Sequence, residues 1–336
     1  MTDKNPGVYA GIPNAEYHGG PGISKSGLDL IARSPLHYRA SRDAANDNEQ
    51  TAAMRIGTAA HPLILEPDLF VGGYALPFVP APGALATIDQ IKERLRDAGE
   101  KVSGRKDELI ERLRAVDPDE VFLDDLRTEY DAENQGREIL TPTEWDQLHA
   151  MRDAVMAHPG ARALLTGAPG VTELSAYWRD QETGALCRCR PDFWRADGVL
   201  VDLKTTDDAS PEGFARSIQK YRYHVQAPFY LDGCRAAMQA HDGPIPGMPD
   251  PEQGEGHIAT PSAFVFIAVE KKAPHAVAVY ALDFDSVELG RAQYRADLAT
   301  FAQCHQAGDW PGYGDTIQKL GVPDWYLRRN SEGGAA

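Results

Sequence analysis

The chain has 336 residues, 34 Lys and Arg against 50 Asp and Glu, and a net charge of −16. That length accommodates one large domain or two around a real core, and no run of about 18 apolar residues offers a membrane-spanning helix. The acidic total weakens long-range attraction to nucleic acid, so any DNA contact has to come from a local basic lining.

The N-terminal MTDKNPGVYAG lacks the basic and apolar regions of a signal peptide, so the expected location is cytoplasmic. Ser24 can cap a helix over Lys25–Arg33 that ends at Ser34-Pro35. Lys25, Arg33, His37, Tyr38 and Arg39 are either phosphate contacts or an ordinary solvated face. Arg42–Thr51 is polar and acidic, hence a loop. Met54–Leu65 reads as a helix in which Gly57, Ala59 and Ala60 permit close packing, and Pro62 predicts a kink or break. His61, on that helix, reads by itself as a core or surface residue. Phe70–Ala86 is apolar and proline-rich. Thr87–Val116 reads as two short amphipathic helices, the first marked by Ile88, Ile91 and Leu95, the second by Leu109, Ile110 and Leu113. This stretch has eight Lys or Arg against seven Asp or Glu, leaving −17 for the rest of the chain. Lys101, Arg105 and Lys106, around Gly104, are its candidate phosphate contacts; a charged hairpin with a structural or protein-contact role is the alternative. Asp117–Glu138 is an acidic helix or linker. Thr141-Pro142-Thr143-Glu144 is a capping box with proline at the first helical position, and Trp145, Leu148, Met151 and Val155 form a core stripe ending at His158-Pro159.

A strand meander follows. Val171–Arg179 alternates as one strand, Asp180–Gly184 is a polar turn, and Ala185–Trp194 is a second strand. Ala196-Asp197-Gly198 turns tightly into a third strand, Val199–Thr205. Asp202 and Lys204 on that third strand share a face; Leu203 points into apolar packing on the other, leaving its carbonyl available as an oxygen ligand. Asp192 stands near the end of the second strand. Two converging carboxylates repel unless a cation lies between them. A hard, oxygen-rich set suits Mg²⁺ or Mn²⁺, which polarises a phosphoryl oxygen and acidifies a bound water. Lys204 could orient that water and stabilise developing negative charge. On geometry alone, a surface hairpin with a salt bridge from Lys204 to Asp192 or Asp202 fits as well. Glu173, early in its strand, reads as exposed when taken alone.

Cys187 and Cys189 are too close along a strand for an ordinary disulfide; with Trp178 they read as packing, and no C-x-x-C occurs among the four cysteines. Ser210-Pro211 opens a helix. Tyr221–Leu231 forms another, with Gln226 and Tyr230 four apart on one face, while His224 stays unassigned. His241–Thr260 is a Gly/Pro/acidic loop too polar to pack. Ala263–Val269 is a buried strand partnered by Ala276–Leu282, Val287–Ala307 is helical, and a disordered tail is expected from Arg328. Strands with flanking helices indicate an α/β fold.

Pro191-Asp192 followed by Asp202-Leu203-Lys204 resembles the PD-(D/E)XK nuclease motif. GISKSGLDLIARSPLHYRA (22–40), RIGTAAHPLILEP (55–67), TELSAYW (172–178) and KYRYHVQAPFYLDG (220–233) resemble, in order, the RecE-like exonucleases, the exodeoxyribonuclease VIII family of phages and prophages. The short D-x-K alone would be unspecific; the ordered set covers nearly the whole chain apart from 87–116, which resembles a SAP motif, a DNA-binding helix–extended–helix module. The resemblance implies a restriction-endonuclease-like α/β core with a mixed sheet, built from 1–84 and 118–327 around an insert at 85–117, with a tail at 328–336. It implies that Asp192, Asp202 and the Leu203 carbonyl bind Mg²⁺, with Mn²⁺ able to substitute. His61 and Glu173 would complete one or two metal sites, Lys204 would serve the nucleophile, and Gln226 and Tyr230 would support the catalytic groups. Ser34 stands where cluster-bearing relatives place a cysteine, so no iron–sulfur cluster is expected. The implied activity is 5′-to-3′ digestion of linear double-stranded DNA, giving 3′ overhangs for a RecT-like annealing protein, in a ring-shaped homo-oligomer. Another PD-(D/E)XK endonuclease, or a non-catalytic DNA-binding recombination scaffold, are the alternatives.

Overall fold

Helices begin where a side chain can accept an otherwise unpaired N–H. Ser24 Oγ accepts from Gly27 at the head of one helix, Thr141 from Glu144 in a complete capping box, and Ser210 from Gly213. The computed structural model describes residues 4–43, 52–250, 256–324 and 326–327. Its first part comprises β1 (Gly7–Tyr9), α1 (Asn14–Gly19), α2 (Lys25–Arg33), α3 (Pro35–Asp43), α4 (Ala52–Leu65), α5 (Pro67–Gly73) and β2 (Tyr74–Ala75). Then come α6 (Ile88–Asp97), α7 (Lys106–Val116), α8 (Leu123–Glu133), β3 (Glu138–Ile139), α9 (Pro142–Ala157) and α10 (Pro159–Thr166). The meander is β4 (Gly170–Thr172), β5 (Ser175–Arg179), β6 (Leu186–Cys189), β7 (Phe193–Arg195) and β8 (Val199–Thr206). After it follow α11 (Pro211–Lys220), α12 (Tyr223–Gln239), β9 (Ala263–Glu270), β10 (Val277–Ala281) and α13 (Phe284–Ala307).

The main sheet has the order β10-β9-β8-β7-β4, with β8 and β9 parallel and the other neighbours antiparallel. A smaller antiparallel sheet, β1-β5-β6, stands beside it, and β2 and β3 make a short parallel pair. Period-2 alternation divides β8 and β9 between two cores. Leu200, Phe264 and Phe266 face a core shared with the smaller sheet, α2, α12 and α13. Val201, Leu203, Ile267 and Val269 face a second core closed by α4, α9 and Phe70 of α5. This is a mixed α/β core of restriction-endonuclease type, with helices on both faces of the sheet. Among the described residues no helix is long and apolar enough to cross a membrane.

A third cluster belongs to the insert alone: Ile91 and Leu95 of α6 and Leu109 and Leu113 of α7 pack with Leu85 and Phe122. Leu85 N–H donates to Val121 O and Leu123 N–H to Leu85 O, clipping the two chain ends together at the base. Ile88, expected on the apolar stripe, is 41% exposed at the start of α6.

Several sequence expectations need correction. Val171–Arg179 is two strands, because β4 joins the main sheet while β5 joins the smaller one. The switch falls at Glu173, whose φ of 54° lies in the left-handed region that a non-glycine residue seldom adopts. Ala185–Trp194 is likewise split, with Pro191-Asp192 in the gap between β6 and β7; proline has no N–H to give a ladder. Pro62 does not break α4. It forfeits the bond a residue here would donate to the Thr58 carbonyl, and the packing of Ala59, Ala60 and Leu63, all buried around it, holds the helix through that loss. Arg42 and Asp43 close α3; the rest of the expected loop, 44–51, and the tail from Arg328 lie outside the described residues. The loop following His241 does pack, through buried Ile245, Met248 and Ile258.

Candidate active site

The site is built on an incomplete edge of β8. β7 pairs with β8 only through Phe193↔Val201 and Trp194↔Leu200. Beyond that register the N–H and C=O of Leu203 point to a side with no strand partner, and buried backbone groups require one. Asp192, released from the ladder by Pro191, supplies it: its Oδ2 accepts the Leu203 N–H at 2.6 Å. The Leu203 carbonyl is met at 2.8 Å by Nε2 of His61. α4 can deliver that imidazole because Gly57 lets the helix approach β8 closely; a Cβ there would lie 3.1 Å from Thr205 Oγ1. His61 Nε2 is also 3.3 Å from Asp192 Oδ2.

On the other face of β8, Asp202 and Lys204 meet as expected, Nζ lying 2.5 Å from Oδ1 with the side chains only 19% and 3% exposed for Lys204 and Asp202. The Lys204 ammonium is the partner of this buried carboxylate oxygen. Asp202 Oδ2 accepts from Gln226 Nε2 of α12 at 2.5 Å. Tyr230, one turn further, lines the same cleft with Gln226 and Lys204. Tyr223, one turn before Gln226, places its ring 4.7 Å from Lys204 Nζ. The cleft has a volume of about 540 Å³, and Lys25, Lys204, Lys220 and Arg222 face it against the single carboxylate of Asp29. Lys25 and Arg222 are paired with Asp29 and Asp297 and Lys204 with Asp202, so the wall is rich in cations but most of them are held by carboxylates. Arg222, itself at φ 54°, ties the start of α12 to Asp29 of α2 and Asp297 of α13.

The charges are mutually dependent. Burial pushes the Asp202 carboxyl up to about 6, with Lys204 pulling the other way. Burial would lower the Lys204 ammonium, but Asp202 and Asp192 outweigh it and hold it above its usual value. Burial would raise Asp192, but His61 and Lys204 keep it below the usual carboxylate range. Burial opposes the imidazolium of His61, yet Asp192 carries its pKa up to about 9. Its geometry agrees: Nδ1 lies 2.8 Å from Gly57 O and Nε2 2.8 Å from Leu203 O, so both nitrogens face acceptors, and Nε2 would have to give up its hydrogen to ligate a cation. Glu173 is pushed up to about 8, chiefly by burial and then by Asp192. Its own N–H donates to Asp192 O at 3.2 Å, while Arg190 Nη1 is 3.7 Å from its carboxylate.

Asp192, His61 and the Leu203 carbonyl thus meet at one point, with Asp202, Lys204, Gln226 and Tyr230 across the same strand and Glu173 behind Asp192. Among the described residues no three His, Cys, Asp or Glu side chains form a finished cation cage. Here the carboxylates are neutralised by Lys204, His61 and N–H donors instead. The chemistry of the set, a carbonyl free of any strand partner, two buried carboxylates and an imidazole, fits a hard divalent cation. Lys101, Arg105 and Lys106 are carried by the insert. Arg105 is 3.3 Å from both Asp107 and Glu108, and Lys106 is 2.5 Å from Asp124.

Sequence reasoning missed three contributors. Tyr223 lies three residues before Gln226, a spacing that puts it on the same helix face. Arg190 donates to Ser175 Oγ, Asn14 Oδ1 and Ile12 O, fixing the crossover beside Glu173. Glu66 accepts from the Thr172 hydroxyl at 2.9 Å, next to the left-handed Glu173. Nothing local in the sequence signals those last two.

No curated protein matches the chain. Among solved structures, the "Putative exonuclease" from Eubacterium rectale superposes with a TM-score of 0.51 at 11% identity, covering 95% of this chain and 98% of that one. At such identity the likeness is one of fold, and it agrees with the α/β core described above. The profile of a family described as PDDEXK-like domain of unknown function (DUF3799) matches residues 24–321, nearly the whole length. The chain therefore belongs to this PDDEXK-like family, within the PD-(D/E)XK nuclease superfamily.

Proposed function

We propose that this chain is a metal-dependent exodeoxyribonuclease acting on linear double-stranded DNA. The observation that carries the reading is the Leu203 edge: its N–H is held by Asp192, its C=O is met by His61, and Asp202 and Lys204 stand on the flanking positions of the same strand beside a cation-rich cleft. Asp192, Asp202 and the Leu203 carbonyl would hold Mg²⁺, or Mn²⁺ in its place, with His61 and Glu173 completing the sphere. When bound, such an ion polarises a phosphoryl oxygen and acidifies water. Lys204 orients the attacking water and offsets the charge that develops on the phosphate. Gln226 holds Asp202 through Oδ2 while Lys204 pairs with Oδ1, and Tyr230 shapes the cleft wall beside them. Lys220 receives a backbone phosphate, while Lys25 and Arg222, held by Asp29 and Asp297, fix the wall beside it.

The finer reading follows the RecE-like resemblance together with the exonuclease named among the structural neighbours. The polarity is 5′-to-3′, the product a 3′ overhang passed to a RecT-like annealing protein, the assembly a homo-oligomeric ring, and the insert a SAP-like DNA-binding unit. Incubation with Mg²⁺ and linear DNA labelled at the 5′ or the 3′ end, beside closed circular DNA, tests it. Progressive release of 5′ label with circular DNA left intact is expected. Cleavage of circles would make the protein an endonuclease of the same superfamily, and no cleavage under any divalent ion would leave a non-catalytic DNA-binding scaffold.

A further inference from the structure

The cleft contains an aromatic feature that phosphate hydrolysis does not use. Tyr221, at the C-terminal end of α11, is 47% exposed and lines the cleft with Lys204, Lys220 and Tyr223. Its ring stacks on Tyr223 with centroids 5.6 Å apart and planes inclined by 26°. Tyr223 in turn lies 4.7 Å from Lys204 Nζ. A two-ring ladder therefore runs from solvent to the catalytic lysine, placing the outer ring within about 10 Å of that ammonium. The backbone around it is pinned, since the Tyr221 carbonyl accepts from Lys25 Nζ at 2.5 Å. Lys220 Nζ is 4.9 Å from the Tyr221 ring centroid, an exposed cation–π contact that yields easily.

We infer that Tyr221 is a stacking platform for an unpaired nucleobase. The inference rests on the nuclease reading for its substrate and adds the residue that grips the strand end. An exposed aromatic ring beside a lysine is the arrangement by which single strands are held without sequence preference, because every base has a π-face. Stacked bases rise about 3.4 Å each, so the base on Tyr221 belongs to a nucleotide within about three steps of the phosphate at Lys204. Lys220, released from the ring, pairs with the adjoining phosphate. Tyr221 thus marks where the duplex has already opened.

The test is fluorescence anisotropy with a labelled duplex carrying a short single-stranded end, in Ca²⁺ so that binding is read separately from turnover. Tyr221→Ala is expected to weaken binding about 10-fold, within the roughly 5- to 150-fold range of a lost base–aromatic stack, whereas Tyr221→Phe keeps wild-type affinity. A single abasic position among the terminal nucleotides should cost wild type the same factor and cost Tyr221→Ala nothing further. Wild-type affinity in Tyr221→Ala, or penalties that multiply when the abasic end and the mutation are combined, overturns the platform. If wild type shows the abasic penalty but hydrolyses no DNA in Mg²⁺ or Mn²⁺, the nuclease reading fails while the platform stands. If wild type binds no DNA, the platform falls as well.

Discussion

The cleft and the insert both bring Lys, Arg, Asp and Glu together, yet they hold them in opposite ways. In the insert, Arg105 pairs with Asp107 and Glu108, Lys106 with Asp124, and Arg114 with Asp125, and every one of these side chains is at least 34% exposed. Exposed pairs of this kind contribute roughly 0–1 kcal/mol and exchange readily for water or phosphate. In the cleft, Lys204 and Asp202 are mostly removed from water, and losing one leaves the other's charge uncompensated. The cleft's field is set before any ligand arrives, which is what preorganised catalysis requires. The insert's charges are free to change partners. The difference teaches that burial, more than charge count, separates a preorganised constellation from a solvated one.

The largest effects should come from the buried set. Asp202→Asn and Lys204→Met preserve volume while removing one charge each, and each should reduce digestion of linear DNA by about 10³-fold or more with far-ultraviolet circular dichroism unchanged. Near-normal turnover in either would erase the distinction between the two regions. A second consequence concerns pH. His61, Glu173 and Asp202 all bind their protons more tightly in the folded chain, with pKa values raised to about 9, 8 and 6. A raised folded pKa gives stability that is present below the unfolded value and lost as pH climbs through the folded one. The melting temperature of the metal-free protein should therefore fall between pH 6 and pH 9, and fall less steeply in His61→Gln. A divalent ion competes with these protons, so Mn²⁺ should raise the melting temperature more at pH 8.5 than at pH 6. The Asp202 contribution is lost by about pH 6, so a metal-free melting temperature that is flat or rising between pH 6 and pH 9 in wild type would show that His61 and Glu173 are not coupled to folding as described.

How much of this was legible in the sequence depends on whether the cause was local. α2, α9 and α11 begin at Ser24, Thr141 and Ser210 because capping acts over three residues, and β8 could be read because VLVDLKTT alternates. The two breaks in the meander were hidden because the partners that cause them are distant: Thr172 pairs with Phe193 in one sheet, whereas Ser175 pairs with Tyr9 in the other. The shared face of Asp202 and Lys204 followed from strand periodicity alone. That Asp192 would hold the Leu203 N–H did not, because a carboxylate replaces a strand only where β7 has ended. His61 and Gln226 came from family resemblance, since a histidine before a proline and a glutamine in an apolar helix carry no local sign of what they face.

Smaller effects should come from the insert. Leu109 is fully buried in a cluster that shares no residue with the other two cores. Leu109→Ala should cost about 2–5 kcal/mol, and the loss should stay local. Limited proteolysis should then cut within 85–123 while the remaining domain keeps its melting transition and digests DNA. Loss of the whole domain's cooperativity would mean that the insert is an integral part of the core.

The smallest and most specific effect concerns the exposed cations. Each phosphate contact made by a lysine or arginine steepens the fall of log affinity with log salt by about 0.9. Lys101, Arg105 and Lys106 changed together to Ala should therefore flatten that slope by about two to three units, with the cleavage rate at saturating DNA nearly unchanged. Arg105 and Lys106 must first leave Asp107, Glu108 and Asp124, and exposed pairs permit that at little cost. Asp124→Asn sharpens the point. It frees Lys106 without touching any cation, so if the insert meets DNA its affinity should rise by a factor of about two to five at low salt and return to wild type at high salt, as expected for a surface pair worth under about 1 kcal/mol. Salt slopes identical in wild type, the triple variant and Asp124→Asn would place DNA entirely in the cleft and leave the insert as a surface for protein contact.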